Sequence, residues 1–184
     1  MDIVKSSKLN GVFLVKPDIY QDKRGYFFEC FSQTKFNFLN DINFVQHNES
    51  LSAEINILRG LHFQSGDSAQ AKLVRVIQGQ IQDIVVDLRS SSPSFGQWES
   101  YELSDENKHL LFIPRGFAHG FLTLTPKVIF HYLCDNYYNK SAENGIIWND
   151  SDLKINWYLS GEPILSEKDK LLPTFEKYKL NPIF

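Results

Sequence analysis

The feature that most constrains the fold is a succession of ten short runs rich in Val, Ile, Phe and Tyr, cut apart by Gly, Pro, Asn, Asp and Ser. Runs of that length and composition read as β-strands, and the close punctuation leaves no room for helical layers. The predicted strands cover 11–16, 26–31, 44–48, 57–63, 72–77, 80–88, 98–103, 110–113, 119–124 and 127–134. Strands so spaced suggest an all-β jelly roll or closed barrel, in which two sheets fold together and hide their edges. Within 81–88, Gln82, Ile84, Val86 and Leu88 alternate with Ile81, Asp83, Val85 and Asp87, giving one apolar and one mixed face. Gln78-Gly79 reads as the hairpin turn leading into that strand. Helical pattern is confined to 32–39, opened by a Ser cap, and 166–171. After Trp148, the breakers Pro163, Pro173 and Pro182 mark a loop-like tail that is expected to pack over the barrel mouth.

A chain of 184 residues suits one domain, 1–184, with a well-buried core. Its net charge of -3 argues against a duplex nucleic-acid binder, which needs a basic stripe, but leaves room for a local anion site. The first residues lack the apolar stretch of a signal peptide, and no later run approaches a membrane span. The expectation is therefore a cytoplasmic protein without nucleic-acid or membrane partners. Cys30 and Cys134 lie far apart with no C-x-x-C spacing, so both are expected to be reduced thiols in the core.

Against this ordinary background one stretch stands out: Leu58-Arg59-Gly60-Leu61-His62-Phe63-Gln64, followed by Lys72-Leu73-Val74-Arg75-Val76. Arg59, His62 and Lys72 place three potential cations on apolar neighbouring strands, which is costly inside a barrel unless an anion binds there. The alternative is a salt-bridged surface cluster. His47, His109, His119 and His131 read singly as surface or satisfied core residues. Arg59 and His62 have opposite parity on a regular strand, so both face inward only if pairing is irregular, and Gly60 is where a bulge costs least. Further on, Pro114-Arg115-Gly116-Phe117-Ala118-His119-Gly120 has the P-x-G-x-x-H spacing of the second cupin motif. Metal cupins carry H-x-H in their first motif, whereas here Phe63-Gln64 follows His62, so no bound Fe, Mn or Zn is expected.

Asp22-Lys23-Arg24-Gly25-Tyr26-Phe27-Phe28-Glu29, the two stretches above, Ile113 to Phe121 and Tyr137-Tyr138-Asn139 together resemble the dTDP-4-dehydrorhamnose 3,5-epimerase family, in its order and spacing, from about Gly11 to Pro173. The resemblance implies a cupin-like jelly-roll barrel (double-stranded β-helix) that needs no cofactor and acts in nucleotide-sugar and surface polysaccharide biosynthesis. It also implies a homodimer that exchanges N-terminal strands.

Residue by residue, the resemblance makes His62 the general base, and Asp169, in Leu165-Ser166-Glu167-Lys168-Asp169, the carboxylate that orients it. Tyr132 becomes the proton donor and Lys72 the cation that stabilises an enolate; read alone, Tyr132 is an ordinary strand aromatic. A 4-keto group acidifies the protons on C3 and C5, and a base and an acid on opposite ring faces then invert the centre. The resemblance assigns Arg24, Glu29, Gln46, Asn48, Arg59, His119, Glu143 and Lys168 to the nucleotide, whose diphosphate would draw Arg24, Arg59 and His119 through charge-assisted hydrogen bonds. Tyr138 would stack on the base. Where the family usually has Q-D-N, this chain has Gln46-His47-Asn48, which leaves a GDP-linked sugar, heptose included, open beside a dTDP-linked hexose. Inversion at C3 alone is the nearest alternative, ahead of a metal cupin oxygenase or a non-catalytic sugar-binding jelly roll.

Overall fold

A computed structural model describes residues 1–39 and 42–184. The described strands are β1 (Asp2–Lys5), β2 (Phe13–Lys16), β3 (Tyr20–Asp22), β4 (Gly25–Phe27), β5 (Gln46–Ser52), β6 (Leu58–Gln64) and β7 (Lys72–Gln78). They continue as β8 (Gln80–Asp87), β9 (Trp98–Ser104), β10 (Leu110–Ile113), β11 (Phe117–Thr123), β12 (Val128–Cys134) and β13 (Glu143–Gly145). Two antiparallel sheets form a jelly roll: one in the order β1-β2-β10-β7-β12-β5, the other in the order β13-β6-β11-β8-β9. β3 and β4 make a separate two-stranded hairpin.

The strand pattern predicted from the sequence is largely realised, with instructive exceptions. β7 and β8 lie in different sheets, so Gln78-Gly79 is a crossover and not a hairpin turn. Gly79 serves it with φ +82°, a conformation that costs glycine nothing. The run at 26–31 stops being strand after Phe27. In consequence Cys30 is exposed, against the expectation of two core thiols, and contacts the Arg75 guanidinium; Cys134 is buried as expected. The helices expected at 32–39 and 166–171 reduce to 3-10 turns at Asn37–Leu39 and Asp169–Leu171, because a single turn does not repay its nucleation cost. The helix that does form, α1 (Phe175–Leu180), follows Pro173, and the Thr174 hydroxyl caps it by accepting from the Lys177 amide.

Between the sheets lies an apolar cluster that includes Val74, Val76, Ile81, Val85, Leu111, Phe121 and Phe130. Each such side chain, fully buried, contributes roughly 2 kcal/mol. The alternation read in β8 holds, but its orientation is the reverse of a simple barrel strand. The mixed face, with Asp83, points into the barrel, while Ile84, Val86 and Leu88 point out and are covered by Leu153, Trp157, Phe175 and Tyr178. Most of the C-terminal tail thus clothes the outer face of the five-stranded sheet. Only its middle reaches the mouth, where Ile164 bridges to Ile57.

The irregularity expected at Gly60 is present. β11 pairs His119 with His62 and Phe121 with Arg59, two steps against three, so β6 carries one extra residue. That bulge brings Arg59 and His62 to the same cavity. Gly60 has φ +126°, and a Cβ there would lie 2.6 Å from Gly120 Cα and 2.9 Å from the His119 carbonyl oxygen. Both obstacles are backbone and cannot step aside. Gly60→Ala is expected to cost about 2–4 kcal/mol of stability, read as a lower denaturant midpoint; an unchanged midpoint would refute the strained-bulge account.

Candidate active site

The cavity beneath the bulge measures about 450 Å³ and is lined by His62, Lys72, His119, Phe130, Tyr132 and Asp169 among others. A second hollow of about 290 Å³, with Gln46, Asn48, Tyr138 and Glu143 on its walls, shares His62, Lys72 and Tyr132 with the first. The two meet at those three side chains, so the candidate proton-transfer groups stand where the hollows join.

His62 projects from the inner face of β6, and its Nε2 lies 2.6 Å from Asp169 Oδ1. The imidazole is 30% exposed and the carboxylate 4%, so the base faces the cavity while its partner is shielded. Burial pushes the Asp169 carboxyl up, but the His62 hydrogen bond and those from Ser166 and the Gly60 backbone outweigh it and hold it below the usual range. Asp169 is therefore ionised at neutral pH, and its Oδ1 accepts the hydrogen bond donated by His62 Nε2–H. In the neutral imidazole the bare ring nitrogen is then Nδ1.

Lys72 and Tyr132 come from neighbouring strands of the opposite sheet, the Lys72 Nζ 5.9 Å from the Tyr132 ring centroid. Burial lowers the Lys72 ammonium from its ordinary value and raises the Tyr132 phenol. A phenol so raised stays protonated at neutral pH and is available as a donor. The same dry setting strengthens the attraction of a Lys72 ammonium for any negative charge that develops nearby.

The residues assigned by resemblance to the nucleotide divide into two groups. Arg59 lines the larger cavity, its Nε donating to Ser52 Oγ at 3.2 Å. Gln46 and Asn48 hydrogen-bond each other at 3.0 Å, and Gln46 Oε1 accepts from the Tyr138 amide at 2.8 Å. Tyr138 donates its hydroxyl to Glu143 Oε2 at 2.8 Å, and Lys168 forms an ion pair with Glu143. Burial raises the Glu143 carboxyl, but the Lys168 and Tyr138 hydrogen bonds prevail and hold it low. His119 is on the inner face of β11, bound to Asp83. Arg24 and Glu29, in contrast, are not brought to this site within one chain. Arg24 sits on the exposed β3–β4 hairpin paired with Asp22 at 2.6 Å, and Glu29 pairs with Lys35.

His47, the departure that left the nucleotide base open, lies outside the cleft. It alternates with Gln46 and Asn48 along β5, and its ring packs edge-on against His131, 6.1 Å between centroids, on the opposite face. The residues that the sequence reading passed over are Ser166, Phe121, Phe130 and Asp83. Of these Asp83 left a signal, as one of two carboxylates on a strand that is buried almost throughout. Among the described residues no three His, Cys, Asp or Glu side chains converge as a metal cluster.

A jelly roll that holds a carboxylate-bound imidazole and a protonated phenol on one cavity defines the class: a cupin-like barrel equipped for proton transfer. Residues 6–177 match the family model described as dTDP-4-dehydrorhamnose 3,5-epimerase. The chain belongs to this family. Over 179 residues it is 46% identical to the dTDP-4-dehydrorhamnose 3,5-epimerase of Salmonella typhimurium, covering 96% of this chain and 97% of that one. The crystal structure of dTDP-6-deoxy-D-glucose-3,5-epimerase from Legionella pneumophila, in complex with dTDP-4-keto-L-rhamnose, superposes with TM-score 0.93 at 38% identity, covering 100% of this chain and 98% of that one. A 3′-monoepimerase from Streptomyces bikiniensis, in complex with dTDP-quinovose, superposes with TM-score 0.90 at 31% identity, covering 96% and 90%.

Proposed function

We propose that this chain inverts C3 and C5 of a dTDP-linked 4-keto-6-deoxy sugar by two rounds of proton exchange, as a single catalytic domain and without a cofactor. The observation that carries the reading is the 2.6 Å contact between His62 and Asp169 on a cavity wall shared with Tyr132 and Lys72. In each round His62 Nδ1 removes the proton α to the ketone. The electron pair of that C–H bond moves into an enolate whose oxygen carries the negative charge, stabilised by the Lys72 cation. Tyr132 delivers a proton to the same carbon from the opposite face, which inverts it, and solvent restores both groups. Two facts favour dTDP over GDP: the relatives reported above act on or bind dTDP sugars, and His47 points away from the cleft.

The exposed β3–β4 hairpin supports a dimer that exchanges N-terminal elements. Tyr20 is 65% and Phe27 66% exposed there, and Arg24 and Glu29 would complete the partner's nucleotide site.

Incubation with the 4-keto substrate in deuterated water tests the reading. Deuterium at both C3 and C5 is the expected result. Label at C3 alone would make this chain a monoepimerase, and no label at all would overturn the function.

A further inference from the structure

The mechanism above makes no use of Asp83. This carboxylate is fully buried, with 0% exposure. It leaves the inner face of β8, and its two oxygens lie 3.0 and 2.9 Å from His119 Nε2. His119, 6% exposed, lines the larger cavity with its ring stacked on Phe130 at 6.1 Å and 27°. Its strand position is directly opposite His62. The cavity therefore holds two histidines side by side, each gripped by its own buried carboxylate, and only one of them serves as the base.

A carboxylate without solvent is tolerated when it keeps a proton or faces a cation. The ionisable groups around Asp83 are His119 on β11, Lys72 on β7 and Tyr101 on β9, with His62 on β6 and Tyr132 on β12 further along the cavity wall. Of these, His119 is the one in hydrogen-bond contact. His119 Nε2 is thus placed to donate to both Asp83 oxygens, which leaves Nδ1 as the ring nitrogen free for a ligand. An anion that enters the cavity favours a proton on Nδ1 as well, because the positive charge then lies between two negative groups.

We propose that Asp83 is a positioning residue for the diphosphate: by holding His119 at Nε2 it fixes the tautomer and keeps the ring cationic when an anion occupies the cavity. The inference rests on the reading that this cavity takes a nucleotide diphosphate. It differs from the His62–Asp169 pair in consequence, since it acts on binding and not on proton abstraction.

The test uses dTDP as probe and calorimetric titration of wild type, Asp83→Asn, His119→Asn and the double variant. Asp83→Asn is expected to weaken dTDP about tenfold or more, as loss of a charge-assisted hydrogen bond would. His119→Asn should weaken it comparably, and the double variant should be no worse than the poorer single one. The pH above which affinity falls should move down in Asp83→Asn, a change that a purely structural role would not produce. On the unmodified protein, nitrogen NMR of the His119 ring should find Nε2 protonated at neutral pH, with and without dTDP. Affinity within about twofold of wild type in Asp83→Asn, losses that multiply in the double variant, or an unprotonated Nε2 would each overturn the inference. If Asp83→Asn fails to fold, the ring measurement on wild type decides. Failure of the wild type to bind dTDP would be recognised separately: it overturns the functional reading, and this inference falls with it.

Discussion

His62→Asn is expected to lower epimerisation by about 10³–10⁴-fold, the scale of a lost general base, and to stop deuterium entry at both carbons while dTDP binding stays close to wild type. The separation of effects follows from position. His62 stands where the two hollows join, whereas Tyr138 and Glu143 lie on the smaller hollow alone. An asparagine keeps the polarity and much of the volume, and can still meet Asp169, so the wall survives. What it lacks is a nitrogen that can take a proton near neutral pH. Proton NMR of the 4-keto sugar in deuterated water measures the exchange, and titration with dTDP measures the binding. Retained exchange would sink the assignment of the base, since Asp169, shielded behind the imidazole at 4% exposure, has no route of its own to the ring.

Tyr132→Phe has the second largest expected effect, and its signature differs in kind. Inversion should fall by about 10²–10³-fold as the donor on the far face is lost. Exchange should fall much less, because His62 can still remove a proton and return a deuteron on the same side. Labelled but uninverted sugar is therefore the expected product, seen by mass shift together with unchanged coupling constants. The phenyl ring keeps the aromatic contact with Phe130, whose ring centroid lies 5.7 Å away, so the cavity is not emptied. If Tyr132→Phe inverts as fast as wild type, some other group donates the proton; if it loses exchange and inversion equally, Tyr132 also takes part in forming the enolate.

These two side chains were not equally legible. His62 declared itself because Arg59, His62 and Lys72 put charge where the pattern called for core, and burying charge is expensive enough to demand a reason. The glycine between them foretold the bulge. Tyr132 carried no such signal, since an aromatic is what β12 would contain for packing alone. It became visible only through a family register. Asp83 lay in plain view within an apolar strand, but which face of β8 points inward is set by the tail that covers the other face, and that is a tertiary fact. The misread turn at Gln78-Gly79 has a similar origin. A short turn between two strands looks the same whether the strands pair or cross between sheets.

Local periodicity settled most of the strands, though not the short β1, β3 and β13, together with the absence of helical layers and the site of the bulge, because alternation and glycine act over a few residues. It could not settle partnership. Asp169 meets His62 across 107 residues of chain, and Asp83 meets His119 across 36. The tail that carries Asp169 reads as loop because its own residues form almost no regular structure. It holds its place through Ile57 and the outer face of a sheet built much earlier in the chain. The charges on 58–72 required an answer, and closure of the two sheets, together with the return of the tail, determined which carboxylate answers which histidine.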